Sequence, residues 1–127
     1  MALEIYLSRR VKGNSGHKSS VEVAYWYKAN AIRKWFAENL DGFVDNGETM
    51  VPLYKLDELL WVCEEVSKNH SQDVSSKLLP TCEGPFFGSI KYDRWYYSSV
   101  DYAITRLKQI IEETDSRYND IVYREMY

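Results

Sequence analysis

Apolar and polar residues alternate from Leu3 to Ser8. This period of two is typical of a strand that buries one face, and it predicts the first strand of the chain. The stretch that follows, Val11 to Ser20, is rich in Gly, Ser, Asn and Lys and has no apolar period. It is therefore predicted to be a loop.

A helical period comes next. Ser19 and Glu22 have the spacing of a capping box, which favours a helix start at this point. Apolar residues then recur at helical spacing, and two tryptophans widen the stripe: Tyr25, Trp26, Ala29, Ile32, Trp35 and Phe36. With Asp41-Gly42 as a C-terminal stop, the pattern predicts a first helix from Val23 to Leu40.

The middle of the chain predicts one strand and two further helices. Met50 to Tyr54 is suited to a short strand. A second helix is marked by the apolar positions Leu56, Leu59, Leu60, Cys63 and Val66. Ser71 to Leu79 is predicted to hold a short helix before Pro80, and Thr81 to Ser89, which contains two glycines and a proline, a loop or tight hairpin.

The C-terminal third contains the strongest helical pattern. Asp93 is a good N-cap, and a continuous apolar stripe follows it: Tyr96, Val100, Ala103, Ile104, Leu107 and Ile111. Ile121 to Tyr123 has the composition of a strand and is predicted to pair with the first strand. Together these patterns predict an α+β fold in which three main helices pack against a small antiparallel sheet, within a single domain spanning residues 1–127.

Composition places the chain among globular proteins, with 127 residues, 45% hydrophobic and 28% charged. The net charge of -3 is unevenly distributed. Residues 1–40 carry seven Lys or Arg against three Asp or Glu, and residues 41–127 carry nine against sixteen. This asymmetry suggests one face that attracts anions, the alternative being an ordinary solvated surface. The chain has no apolar run long enough for a signal peptide or a membrane span, which predicts a cytoplasmic protein.

Motifs for catalysis or metal binding are missing from the sequence. Residues 13–19 lie between a predicted strand and helix, but two residues separate their glycines where a phosphate-binding P-loop needs four. His17 and His70 have no partner at ligand spacing, and neither Cys63 nor Cys82 has a second cysteine close by. We therefore expect no catalytic residues, no metal, no cofactor and no enzymatic activity.

Aromatic residues are more informative, since the chain has eleven Tyr and four Trp. They concentrate in Tyr25-Trp26-Tyr27 and in Trp95-Tyr96-Tyr97. Three consecutive aromatics on a helix cannot all face one core, so some of these rings are expected to be exposed. Exposed Tyr and Trp are typical of protein interfaces and of nucleobase-stacking sites, although they can also cover the margins of a small core.

Basic residues accompany the first aromatic cluster. Lys28, Arg33 and Lys34 lie on the same predicted helix, and a basic segment precedes it: Arg9, Arg10, Lys12 and Lys18. Aromatic and basic residues together are used by single-stranded RNA and nucleotide sites. We predict a partner-binding set of Tyr25, Tyr27, Lys28, Arg33, Lys34, Trp95 and Tyr97, with the N-terminal basic segment as an anion- or RNA-binding region.

The run from Tyr25 to Phe36, YWYKANAIRKWF, resembles the hallmark of a small protein family that recurs in phage and prophage genomes. Downstream, LLPT at 78–81, FFGS at 86–89 and YDRWYY at 92–97 are similar to a second block of that family. The likeness covers most of the chain except residues 11–20 and implies no known active site. The chain departs from the family pattern at Tyr27, where a basic residue is expected, and at Pro85, which interrupts an aromatic stretch.

Three functions follow from these observations. The first is a nonenzymatic phage or prophage accessory protein that inhibits a component of host defence. It would act as an anti-CRISPR-type inhibitor, bound to a defence protein or its RNA complex in the host bacterial cytoplasm. The second is an RNA- or nucleotide-signal-binding protein that uses the basic and aromatic N-terminal face. A small hydrolase ranks last. Aromatic residues in excess of the core would also allow a homodimer, and no membrane partner is expected.

Overall fold

A computed structural model describes residues 1–13 and 19–127, and in this part of the chain a four-stranded antiparallel sheet is combined with four helices. In chain order the elements are β1 (Glu4–Val11), β2 (Ser20–Tyr27), α1 (Asn30–Asn39), β3 (Glu48–Val51), α2 (Leu53–Asn69), α3 (Gln72–Leu78), α4 (Arg94–Glu113) and β4 (Asn119–Met126). The predicted α+β class is confirmed, since α1, α2 and α4 are the main helices and α3 is a short one.

The sheet has the strand order β2-β1-β4-β3. The predicted pairing of the C-terminal strand with the first strand is confirmed: Leu7 lies opposite Tyr123, and Arg9 opposite Ile121. β1 also pairs with β2, and β4 with β3. β1 and β4, which the sequence predicted, are therefore the two central strands.

One face of the sheet packs against the helices and forms the hydrophobic core. It contributes Leu3, Ile5, Leu7, Trp26 and Tyr123, all buried, which meet Phe36 of α1, Leu59 of α2 and Leu107 of α4. The alternation in β1 places the other side chains on the opposite face. There the rings of Tyr6 and Tyr25 pack 5.1 Å apart, and the Arg124 guanidinium lies 4.3 Å from the Tyr6 ring centre.

The predicted first helix, Val23 to Leu40, is wrong in its N-terminal part. Residues 20–27 form strand β2, and the helix begins only at Asn30. Glu22 lies in this strand, so the predicted Ser19–Glu22 capping box does not form. A β-bulge opposite Leu7 and Ser8 inserts one extra residue into β2, and consequently both Val23 and Ala24 are buried. This break in the alternation concealed the strand period.

The remaining boundaries differ less. The predicted strand Met50 to Tyr54 is shifted, because β3 covers Glu48–Val51 and α2 already starts at Leu53, after Pro52 as its N-cap. Pro52 has no backbone N–H to donate to a neighbouring strand, which ends the strand, and its extended backbone precedes the first helical turn. Helix α3 follows Ser71, whose hydroxyl accepts a hydrogen bond from the Val74 amide. Asp93 caps α4 as predicted.

Edge strand β2 is covered along part of its outer side by α4. The Arg106 guanidinium donates two hydrogen bonds to the Val23 carbonyl, at 2.9 and 2.6 Å, and the Tyr25 amide donates one to the Tyr102 hydroxyl at 3.1 Å. These bonds satisfy backbone groups that an edge strand otherwise leaves open to pairing. They also attach the middle of α4 to β2, the strand that carries the first aromatic cluster.

Candidate functional site

A cavity of about 400 Å³ opens between the end of β2, the first turn of α1, residues 79–91 and the start of α4. We call it the aromatic pocket. Its floor is apolar and buried, formed by Ile32, Leu79, Tyr96 and Val100. Its rim is polar and aromatic, formed by Tyr27, Lys28, Lys91, Asp93 and Trp95. An apolar floor with a few polar groups at the rim, in a volume of roughly 300–1,000 Å³, is typical of small-molecule sites.

Both aromatic clusters identified in the sequence contribute a ring to this pocket. Tyr27 is the last residue of β2 and is 57% exposed; Trp95 lies in the first turn of α4 and is 68% exposed. Trp95 is held at its backbone, because the Asp93 carboxylate accepts hydrogen bonds from the amides of Trp95 and Tyr96, both at 3.1 Å. Strand β2 and helix α4 thus bring together two exposed rings that are 68 residues apart in sequence.

Lys28 stands at the junction between β2 and α1. Its backbone is in the left-handed region at φ 56°, and its amide donates to the Leu3 carbonyl at 2.8 Å. This conformation turns the chain from strand into helix. Gly88, at φ 88°, packs against it so closely that a Cβ at position 88 would lie 3.0 Å from the Lys28 Cβ. Lys28 and Lys91 place two exposed ammonium groups on the rim, against the single carboxylate of Asp93.

The wall of the pocket is fixed by Asn30. Its side-chain amide donates to the carbonyls of Phe87 and Ser89, at 3.0 and 2.9 Å, and its side-chain oxygen accepts from the Cys82 amide at 3.0 Å. Asn30 is almost fully buried, so these bonds replace water for groups that must leave it. Residues 82–89 are thereby anchored to the first residue of α1, and these bonds hold the pocket wall in place.

The other members of the two aromatic clusters are buried or half-buried, and Tyr96 among them forms part of the pocket floor. Trp26, Tyr96 and Tyr97 are buried, and the Tyr97 hydroxyl lies 2.9 Å from that of Ser75. Tyr25 is half-buried and donates to the Glu4 carboxylate at 2.8 Å; burial, followed by this bond, raises the pKa of Tyr25 to about 12. Of the predicted aromatic contacts, the structure therefore brings Tyr27 and Trp95 to the pocket but not Tyr25 or Tyr97.

Arg33 and Lys34, which we predicted to contact a partner, already form ion pairs within the chain. Arg33 forms a bidentate pair with the buried Glu125, at 2.9 and 3.1 Å, and contacts Asp45 at 2.6 Å. Although burial disfavours its charged form, the bonds to Glu125 raise the pKa of Arg33 above its ordinary value. Lys34 pairs with Glu38 at 2.7 Å. Neither side chain lines the aromatic pocket.

The described residues of the basic N-terminal segment, Arg9, Arg10 and Lys12, also lie away from the pocket. Arg9 and Arg10 are in β1; Arg10 pairs with Glu48 at 3.6 Å, and Lys12 with Asp120 at 3.9 Å. Lys18 falls outside the described residues. Acidic neighbours therefore offset part of the positive charge on which the predicted anion- or RNA-binding region depends, and that region stays a prediction.

The sequence patterns did not identify Asn30, Lys91 and Asp93 as residues of a binding site, although all three line the pocket. Asp93 was recognised only as a helix cap, and Asn30 only as part of the YWYKANAIRKWF run. A signal for Lys91 was present, because it lies four residues before Trp95 in a segment rich in turn-forming residues. Together the rim offers two aromatic faces, two cations and one carboxylate, which is a set suited to binding an aromatic anion.

Within residues 1–13 and 19–127, no three His, Cys, Asp or Glu side chains are grouped so that they could hold a metal ion. None of the helices in this described part of the chain is long and apolar enough to cross a membrane. Comparison of the chain with protein-family models, with curated proteins and with solved structures gives no match. What the aromatic pocket can bind therefore follows from its own residues.

Proposed function

We propose that this chain is a nonenzymatic phage or prophage accessory protein that disables a component of host defence by binding, and that it binds a nucleotide signal in the aromatic pocket. The observation that carries the proposal is the convergence of two exposed rings, Tyr27 and Trp95, with Lys28 and Lys91 on one cavity. Capturing a signal needs a binding site but no catalytic group.

Nucleotides match the chemistry of this rim. A nucleobase stacks on an aromatic face, with about 1–3 kcal/mol per base, and phosphates attract ammonium groups. The Arg94 guanidinium lies 4.9 Å from the Trp95 ring centre, so a base stacks on the free face of the indole or takes the place of Arg94. The volume of about 400 Å³ suits a mononucleotide or one unit of a short oligonucleotide better than a protein segment.

The accessory role is supported by the resemblance to phage and prophage proteins. Both resembling blocks line the pocket, residues 27–32 from the first and residues 79–96 from the second. A long RNA fits less well, since the predicted basic segment is partly neutralised by Glu48 and Asp120. A small phosphorylated ligand needs no such extended basic track.

Binding is tested by the melting temperature of the purified protein with mono-, di- and cyclic nucleotides. We expect a ligand-dependent rise that weakens as salt is raised, because bound ligand stabilises the native state and salt screens phosphate contacts. Removing one ring with Tyr27→Ala should lower the affinity roughly tenfold or more. No rise with any nucleotide at millimolar concentration and low salt would contradict the proposal.

The chain offers a matched control for this variant. Tyr54 is also exposed and also lies against the next lysine, with 5.6 Å between the Lys55 ammonium and the ring centre, compared with 5.4 Å for Lys28 and Tyr27. Tyr54 is outside the aromatic pocket. Tyr54→Ala should therefore leave the nucleotide affinity unchanged, and an equal loss in both variants would indicate nonspecific stacking.

The accessory role is tested in cells. Expression of the chain should restore phage plating on a bacterial strain whose defence depends on a nucleotide signal, and Tyr27→Ala should reduce that restoration while Tyr54→Ala does not. If Tyr27→Ala restores plating as well as the unmodified chain does, the effect in cells does not depend on the aromatic pocket.

A protein partner, as in an anti-CRISPR-type inhibitor, is the second candidate, favoured by one observation. Ile90, between the lining residues Ser89 and Lys91, is exposed next to the rim, so apolar surface continues outside the cavity. A protein interface would extend over this residue. Ile90→Ser, which removes apolar surface without adding charge, should then weaken complex formation with a purified defence effector in size-exclusion chromatography, whereas nucleotide capture should survive this change.

A further inference from the structure

The carboxylate of Asp93 is only half used by the fold. One oxygen, Oδ1, accepts the two amide bonds that cap α4. The other, Oδ2, has no hydrogen-bond partner within residues 1–13 and 19–127. Asp93 is also a lining residue of the aromatic pocket, two positions before the exposed Trp95. A carboxylate oxygen with unused acceptor capacity therefore belongs to a residue that lines the same pocket as the ring on which a base would stack.

We infer that Asp93 selects the base, and that the ligand of the aromatic pocket is a guanine nucleotide. This inference rests on the proposed nucleotide-binding function. An ionised carboxylate only accepts hydrogen bonds. Guanine presents two adjacent N–H donors on its Watson–Crick edge, the ring N1–H and the exocyclic amine, whereas adenine presents an acceptor at N1. When a base stacks on Trp95 with this edge toward Asp93, guanine donates hydrogen bonds to the carboxylate. The N1 acceptor of adenine is instead repelled by the carboxylate.

Charge fixes the direction of the ligand. The phosphate is repelled by Asp93 and attracted by Lys28 and Lys91, and the first turn of α1, which contains no acidic residue, also faces the pocket. The base end therefore belongs to Asp93 and Trp95, and the phosphate end to the start of α1. Because Asn30 fixes the opposite wall, the two ends are held in a preformed site.

Three mononucleotides test the selection on the unmodified protein. Guanosine, inosine and adenosine monophosphates carry the same sugar and phosphate, and inosine keeps the N1–H donor but lacks the exocyclic amine. Calorimetric titration should give the affinity order guanosine, inosine, adenosine, with roughly tenfold or more between the first and last, as for other two-bond base contacts. Equal affinities for all three would overturn the role of Asp93 while leaving nucleotide binding intact.

Asp93→Asn gives the matched variant. Asparagine is as good an N-cap as aspartate, so helix α4 is retained and the melting temperature should change little. Removing the negative charge removes its repulsion of the phosphate equally for all three monophosphates, and the readout is therefore the ratio of the guanosine to the adenosine affinity. This ratio should fall roughly tenfold, because an amide can present a donor to adenine.

The outcomes separate the two claims. An unchanged ratio in a folded Asp93→Asn protein would overturn the inference even if the unmodified protein prefers guanosine. If the variant does not fold, the three-nucleotide order on the unmodified protein decides alone. Failure of all three monophosphates to bind, with other nucleotides also inactive in the melting assay, would instead reject the proposed function itself.

Discussion

Asn30 is the residue on which the shape of the aromatic pocket most depends. A single buried side chain joins α1 to three backbone groups between residues 82 and 89. Only an amide can do this, because two of the partners are carbonyls that need a donor and one is an N–H that needs an acceptor. The sequence shows the asparagine but not its partners, which lie more than fifty positions away.

Replacing this side chain should be costly. Asn30→Ala leaves the Cys82 amide and two carbonyls without their partners, and we expect the free energy of unfolding to fall by about 3 kcal/mol. The measurement is urea unfolding followed by circular dichroism. Asn39→Ala is the control, since that side chain makes one bond, to the Trp35 carbonyl, and should cost about 1 kcal/mol or less. Equal losses in the two variants would contradict the anchoring role.

The raised pKa of Tyr25 predicts that the protein loses stability in alkaline solution. Burial and the hydrogen bond to Glu4 raise its pKa from 10.0 to about 12, so the folded state favours the protonated phenol. The stabilisation from this group is complete below pH 10 and is lost as the pH rises from 10 toward 12. In the phenolate absorbance titration, Tyr25→Phe should remove one late-titrating group. Loss of an early-titrating group instead would show that Tyr25 is not held by Glu4.

At the scale of elements, β2 shows where two sequence periods overlap. Tyr25, Ala29, Ile32 and Phe36 have helical spacing, and the β-bulge at residue 23 removes the strict alternation that would have revealed a strand. The end of the strand is set by the left-handed backbone of Lys28. Lysine has no special preference for that conformation, so residue type gave no warning of the change from strand to helix.

The hydrogen bonds between α4 and β2 predict that α4 prevents self-association through the edge of β2. Arg106 and Tyr102 occupy outward-facing backbone groups of β2. The double variant Arg106→Ala, Tyr102→Phe removes these bonds but keeps a ring to pack against Trp26. We expect concentration-dependent oligomers in light scattering, because the exposed edge can pair with a second chain. Lys108→Ala, on the same helix and paired with Glu64, should keep the oligomeric state of the unmodified protein.

At the scale of the whole molecule, strong and uninterrupted hydrophobic periods were sufficient to predict helices and strands. The pairing of β1 with β4, helices α2 and α4 and the Asp93 cap followed from the sequence, because each rests on a local pattern or on an apolar strand that needs a partner. The first helix was predicted with the wrong start, because residues 20–27 form β2. The aromatic pocket did not follow in full. Its residues come from two stretches of sequence, 27–32 and 79–100, that lie far apart along the chain. Which of two adjacent rings is exposed depends on packing that no local pattern specifies.

Packing of the whole core also predicts the behaviour of the two thiols. Cys63 is fully buried, and burial raises its pKa to about 12, whereas Cys82 is half-buried. A thiol reagent at neutral pH should therefore modify Cys82 first and reach Cys63 only through unfolding. The rate for Cys63, measured alone in a Cys82→Ser variant, should follow the urea dependence of unfolding. Fast modification of Cys63 in native buffer would contradict the core described above.

Nucleotide binding beside Trp95 is tested most directly by tryptophan fluorescence. Trp26 and Trp35 are buried, and the two exposed tryptophans are Trp61, 56% exposed on α2, and Trp95 on the pocket rim. Titration with guanosine monophosphate should quench the emission of the unmodified protein and of Trp61→Phe to saturation, and should leave Trp95→Phe without a saturable change. If saturable quenching persists in Trp95→Phe and disappears in Trp61→Phe, the ligand binds near Trp61, which would contradict nucleotide binding in the aromatic pocket.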